Sequence, residues 1–218
     1  MRIHTFVVGY VLAVALFLFA QRRAEPAQSQ GFTSVVDLTT ATQPNAKDSG
    51  TRMDAPAQLG SGMWTLDQIP AERLVAPLVV LDVSANTFGN ADYQVSVEDI
   101  ANWEHAHGHI PQGAIVMART GWKPTKTKSA FPGYSEDAAK FLIDARNALS
   151  LGIDTMGIDP GQSKDSAVRH YALAHSVYPL ENVANLDRVP ATGSLGVVAP
   201  TKVAGGLSGP VRILALVK

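Results

Sequence analysis

Leu78-Val79-Val80-Leu81-Asp82-Val83 is apolar at all but one position. A strand with one face in water alternates polar and apolar residues, so this run has to be covered on both faces. Ala114 to Arg119 repeats the pattern as a second buried strand. Two such strands demand a layered architecture with helices to pack on them, and the helices are legible. Ser96 reads as an N-cap, Glu98 and Asp99 favour the first turn, and Ile100 and Trp103 share one face of a helix reaching Glu104. Ser135 caps a second helix from Glu136 to about Ser150, with Ala139, Leu142, Ile143 and Ala145 at helical spacing. Ser166 to about Ser176 is a third. Phe32 to Thr39, Gly152 to Asp159 and Tyr178 to Leu180 read as strands, and the chain closes on Leu195 to Ala199 and Val211 to Val217. Around Met63 to Pro70, Thr65 with Asp67 or Gln68 caps a brief helical turn. Strands alternating with helices give an α/β domain with extra strand content at its end.

The 218 residues, 46% hydrophobic and 17% charged, suffice for one globular domain with its own core. A formal net charge of −1 offers nothing to nucleic acid or an anionic membrane. The absence of cysteine excludes disulfides, thiolate metal sites and a cysteine nucleophile. No serine stands in a nucleophile-elbow context. At the N-terminus, Met1, Arg2 and His4 precede an apolar run from Phe6 to Ala20, which meets Gln21-Arg22-Arg23. The run falls short of the ~20 residues of a bilayer span and fits a secretory signal. Residues 1–20 are therefore expected to be a signal peptide, or an uncleaved anchor holding the chain to a membrane through residues 6–20. Residues 21–31 read as a linker and 32–218 as the domain, exported to the periplasm or beyond the cell.

Two stretches carry the candidate chemistry. The first is Asp48-Ser49-Gly50-Thr51-Arg52-Met53-Asp54-Ala55-Pro56-Ala57-Gln58, where a flexible Gly and a φ-fixed Pro bracket Asp54. Such a backbone is shaped to hold a carboxylate rather than to continue a helix. The second is Arg169-His170-Tyr171, followed by Leu180-Glu181-Asn182-Val183-Ala184-Asn185-Leu186. They are expected to meet in a site that is, or descends from, a metal centre.

The order Asp37-Leu38-Thr39, Gly50-Thr51-x-x-Asp54-Ala55-Pro56, Asp67-Gln68-Ile69-Pro70, Trp103-Glu104-x-x-His107-Gly108, Arg119-Thr120-Gly121-Trp122, Gly152-Ile153-Asp154-Thr155, Ile158-Asp159-Pro160-Gly161 and Leu180-Glu181-Asn182 resembles the cyclase family of kynurenine formamidases and isatin hydrolases. The resemblance runs from Phe32 to the C-terminus. It implies a swivelling β/β/α domain, a mixed sheet with barrel-like strand content, and a homodimer. It further implies an arylformamidase-like hydrolase, of the kind met in tryptophan catabolism. The substrate would be a small amide, formamide or lactam, and the cofactor a divalent metal, Zn or Mn. The family's metal motif reads His-x-Gly-Thr-His-x-Asp-x-Pro-x-His. Here its first His falls on Asp48, its second on Arg52, its Asp on Asp54 and its last His on Gln58. A further family His falls on Arg169, one place before His170, and the family Glu on Glu181. The segment between Thr39 and Asp48 is shorter than in relatives, which carry an aromatic-containing substrate segment there.

These substitutions leave two readings. In the first, Asp48, Asp54 and Glu181 hold a divalent metal, and Gln58 or His170 orients the substrate. In the second, the chain is catalytically inactive and uses no metal. An arginine cannot ligate a cation, so Arg52, with Arg169 nearby, replaces the metal's charge by pairing with Asp54 and Glu181. The site then binds a small molecule or a partner. Two carboxylates converging with no counter-charge would be costly, and one would have to stay protonated. Elsewhere, His105, His107 and His109 read as a surface helix end, and Asp154 and Asp159 as loop anchors. Trp64, Trp103 and Trp122 read as core or pocket wall, and Lys123, Lys126 and Lys128 as a solvated loop.

Overall fold

In a computed structural model of the chain, residues 31–44, 49–123 and 130–218 are described. The expected signal peptide, nearly all of the linker, Asp48, Lys126 and Lys128 lie outside them. Ser34–Lys218 forms one compact unit. Ten strands can be followed: β1 (Ser34–Asp37), β2 (Arg52–Asp54), β3 (Val75–Asp82), β4 (Gln94–Val95), β5 (Ile115–Arg119), β6 (Gly133–Tyr134), β7 (Ser150–Ile153), β8 (Tyr178–Glu181), β9 (Ser194–Pro200) and β10 (Ser208–Val217). The main sheet runs β1-β10-β2-β8-β7-β5-β3-β9, and β10 also pairs with β9. That last pairing closes the seven strands of this sheet other than β1 into a barrel, with β1 laid along β10, while β4 and β6 pair separately. β3, β5, β7 and β8 are parallel neighbours, while β2, β9 and β10 join antiparallel.

The two-sided burial expected of the apolar strands is explained by this closure. Leu78, Val80, Ile115 and Met117 belong to one apolar cluster with Met53, Tyr178, Leu180, Val198, Ile213 and Ala215. Val79, Leu81, Val116, Ala118, Leu151 and Ile153 belong to a second cluster, together with the helices. Successive side chains of a strand point to opposite faces, so one run of residues supplies both cores.

Helix α1 (Val97–His107) begins at Ser96, whose Oγ accepts from Asp99 N, while the Asp99 carboxylate accepts from Ser96 N. This reciprocal box is the expected cap. Trp103 is buried and donates to the Val80 carbonyl at 3.0 Å, tying α1 to β3. The second helix is shorter than its spacing predicts. Ser135 caps α2 (Glu136–Lys140), a π-helical turn follows over Phe141–Ala145, and Asn147 takes a φ of 49°. Leu149 N then bonds the Ala114 carbonyl. Sheet pairing takes the backbone donors that a longer helix would have kept. The expected strand after Gly152 is likewise displaced, to Ser150–Ile153, and α3 spans Ala167–Ala174. Residues 66–68 form a turn rather than a helix, with Thr65 Oγ1 donating to Asp67.

No helix among the described residues is long and apolar enough to cross a membrane. The expected membrane anchor, residues 6–20, lies outside the described residues.

Candidate functional site

The short strand β2 places Met53 in the barrel interior, so Arg52 and Asp54 on either side of it point to the opposite face. Arg52 lies directly across from Glu181 in the antiparallel β2–β8 register, and Met53 across from Leu180. Arg52, Asp54 and Glu181 therefore share a sheet face. A 3₁₀ turn, Pro56–Gln58, starts as Asp54 leaves the sheet and brings Gln58 back over it. Helix α3 enters from the other side and contributes Arg169. The two stretches singled out in the sequence do meet.

Backbone devices fix this arrangement. Gly50 has φ +80°, and a Cβ there would lie 2.9 Å from the Thr40 carbonyl oxygen and 2.8 Å from Thr42 N. Only glycine fits. Thr51 then donates through Oγ1 to the Asn182 carbonyl at 2.7 Å and accepts from Thr40 N at 2.7 Å, pinning the loop before β2 to the segment after Glu181. Ser166, at the start of α3, is left-handed and makes no side-chain cap. Asp159 caps the helix from outside instead, accepting from Val168 N at 2.8 Å and Arg169 N at 3.1 Å. That bond pair orients the first turn of α3 and with it Arg169.

At the centre, Arg169 Nη2 lies 2.7 Å from Asp54 Oδ2. The same Nη2 donates to Gln58 Oε1, and Gln58 Nε2 donates to Asp54 Oδ1 at 2.6 Å and to the Leu207 carbonyl at 3.0 Å. Asp54 is buried, and its Oδ2 accepts no hydrogen bond, so the ion pair with Arg169 alone satisfies it. Arg52 donates to Ser208 Oγ at 3.1 Å and acts on both carboxylates through its charge. The expected replacement of a metal by Arg52 is thus corrected in detail: the guanidinium paired with Asp54 is that of Arg169. The sequence reading favoured Arg52, which stands within the motif itself, but the order of the two around Asp54 depends on how α3 enters.

Electrostatics follow from burial. Desolvation raises Asp54, opposed by the Arg169 charge, the Gln58 hydrogen bond and the Arg52 charge. Glu181 is pushed up to about 7, first by burial and next by the neighbouring Asp54, against the pull of Arg169 and Arg52. Of the two carboxyls, the shift towards the protonated form is the larger at Glu181, although Arg169 and Arg52 supply counter-charge. Asp159, missed as a site residue and read only as a loop anchor, adds its charge to this cluster while it caps α3.

His170 does not join them. It is exposed, and its Nδ1 contacts the Asp165 carbonyl at 2.9 Å. His105, His107 and His109 are exposed at and beyond the end of α1, as expected of a surface helix end.

A divalent metal does not fit the residues present. Asp54 already faces a permanent cation, a second cation stands at Arg52, and Asp159 is committed to two backbone donors. Among the described residues no three His, Asp or Glu side chains are grouped to hold a metal ion. The expectation of a metal held by Asp54 and Glu181, and of metal-dependent hydrolysis there, is therefore corrected. Its third proposed ligand, Asp48, lies outside the described residues.

The family model described as "Putative cyclase" matches residues 21–160. The isatin hydrolase of Roseibium aggregatum is 32% identical over 188 residues, covering 78% of this chain and 71% of the relative. The chain belongs to the cyclase family. Other cyclase relatives include the kynurenine formamidase of Bacillus cereus, 27% identical over 167 residues, covering 75% of this chain and 73% of that one. Among solved structures, isatin hydrolase A from Labrenzia aggregata bound to benzyl benzoate superposes with a TM-score of 0.79 at 30% identity. That match covers 84% of this chain and 93% of the other. The cyclase fold accounts for the closed mixed sheet, and these relatives are named as hydrolases.

Proposed function

We propose that this cyclase-family chain is a metal-independent small-molecule-binding module without hydrolytic activity. The observation that carries this reading is the Arg169 guanidinium held between Asp54 and Gln58, where a metal-binding relative needs neutral ligands. A guanidinium supplies a fixed cation and a planar set of donors but cannot lower the pKa of a bound water as a metal does. Gln58 can donate and accept hydrogen bonds but cannot transfer a proton at neutral pH, so the acid–base function of a histidine is missing there. Binding survives this exchange better than turnover does. Arg169 is 35% exposed and therefore reachable, and Arg52 is half-buried beside it, so donors face solvent above a buried acid. A small carbonyl compound of the kind named in the relatives, such as isatin, suits those donors.

Elemental analysis after exposure to zinc and manganese tests the first half, with Asp54→Ala as control. Less than about a tenth of an equivalent of either metal is expected. Stoichiometric metal that disappears in the Asp54→Ala protein overturns the reading. Titration of isatin, followed by calorimetry and by absorbance, tests the second half. Binding without consumption, weakened about tenfold in Arg169→Gln, is expected for a charge-assisted donor. Steady hydrolysis by the wild-type protein sinks it.

A further inference from the structure

The carboxyl ends of the parallel strands β3, β5, β7 and β8 lie along one edge of the closed sheet, and that edge runs beyond the cluster just described. Glu181 ends β8, Asp154 follows β7, Arg119 ends β5 and Asp82 ends β3. At the β3–β5 end lies a cavity of about 680 Å³. Phe88, Trp122 and Pro132 line it, with Arg119, Lys123 and the Thr120-Gly121 backbone. Among the described residues its lining includes two cations and no carboxylate.

Each part is held in place by something other than a ligand. Arg119 Nη1 donates to Asp82 Oδ2 at 2.6 Å and to Ser84 Oγ at 2.8 Å, which fixes the guanidinium and leaves its Nε and Nη2 donors. Asp82 offsets part of the charge but is itself half-exposed and stands outside the lining. Both oxygens of Asp154 accept from Thr120 N, Thr120 Oγ1 donates to one of them at 2.6 Å, and Gly121 N adds a third donor at 2.8 Å, so the floor of the cavity is anchored to β7. Trp122 meets Phe131 edge to face at 5.9 Å, which sets the plane of its ring. Phe88, in contrast, is 93% exposed, the most exposed large apolar side chain among the described residues. A phenylalanine in water beside an aromatic-lined cavity with a fixed cation has the composition of a recognition site for an aromatic ring bearing a negative charge.

We infer that the cavity between Phe88, Trp122 and Arg119 is a second binding site, separate from the Asp54–Arg169 cluster, for a flat aromatic carboxylate. The ring packs against Phe88 and Trp122. The carboxylate meets Arg119, with Lys123 adding charge at the rim.

Naphthalene-2-carboxylate, titrated into the full chain by calorimetry and by Trp fluorescence, tests this. Naphthalene-2-carboxamide serves as the uncharged control. The carboxylate is expected to bind with one site and the carboxamide about tenfold more weakly. Phe88→Ala, at an exposed position that leaves the fold intact, should weaken the carboxylate about fivefold through the lost ring contact. Arg119→Gln should abolish the preference for carboxylate over carboxamide. Arg169→Gln should leave the affinity unchanged, which separates this site from the other. Equal binding of acid and amide, an unaltered affinity in Phe88→Ala, or a loss confined to Arg169→Gln overturns the assignment.

Discussion

At the scale of single residues, the cluster around Asp54 has the energetics of a buried ion pair whose two halves depend on each other. Removing one partner of such a pair leaves an uncompensated charge, whereas removing both can be nearly neutral. Arg169→Met should lower unfolding free energy by about 2 kcal/mol, reduced from the fully buried figure because Arg169 is partly in water. The double variant Arg169→Met, Asp54→Asn should recover most of that loss in denaturant melts. A double variant no more stable than Arg169→Met would mean that the pair is not what holds the site. Glu181 gives a pH signature. Its folded pKa of about 7 lies above its usual 4.5, so the folded state binds the extra proton between those values. Its contribution is then fully present below about pH 4.5 and is lost as pH rises towards 7, on the order of 1–3 kcal/mol. Glu181→Gln should flatten that part of the stability profile; an unchanged slope between pH 5 and 7 would assign it to another group.

At the scale of elements, helix α1 shows how local sequence and tertiary packing share the work. Ser96 and Asp99 close a capping box that is legible from four residues of sequence, and Ser96→Ala should cost about 1 kcal/mol in thermal or chemical unfolding. The other end of α1 is different. Glu104 accepts from Arg146 Nε at 2.7 Å, Arg146 Nη2 at 2.8 Å and Ile110 N at 2.9 Å, linking α1 to the segment after α2. The Arg146 hydrogen bonds hold the Glu104 carboxyl down to about 2, so its stabilisation is present above pH 4.5 and lost as pH falls towards 2. Glu104→Gln should remove that acid-side loss and lower stability at pH 7 by about 1–2 kcal/mol. A melt at pH 7 indistinguishable from wild type would show that the bidentate contact is only a surface pair. Arg146 sits 42 positions away from Glu104, and no periodicity within α1 announces it.

For the whole molecule, the sequence by itself determined the α/β class, the buried character of β3 and β5, the capped helix starts and the meeting of the two motif stretches. The first three rest on short-range signals, unbroken apolar runs and cap residues, whereas the meeting of the two stretches is a long-range expectation that the β2–β8 pairing bears out. The ordered motifs also determined family membership, because they are spread over the whole domain. What only the tertiary structure decided is long-range. The closure of β9 onto β10, which turns the sheet into a barrel, depends on register between strands that meet only after folding. The early end of the second helix reflects sheet pairing that begins at Leu149, which outcompetes a spacing that is helical on paper. Most consequentially, sequence reasoning paired Asp54 with Arg52, whereas its ion-pair partner is Arg169. Only the external cap from Asp159, which sets how α3 enters, decides that Arg169 takes the buried face of Asp54 and Arg52 stays in register with Glu181. Charge type is written in the sequence; which charge reaches a buried oxygen is a matter of geometry a hundred residues long.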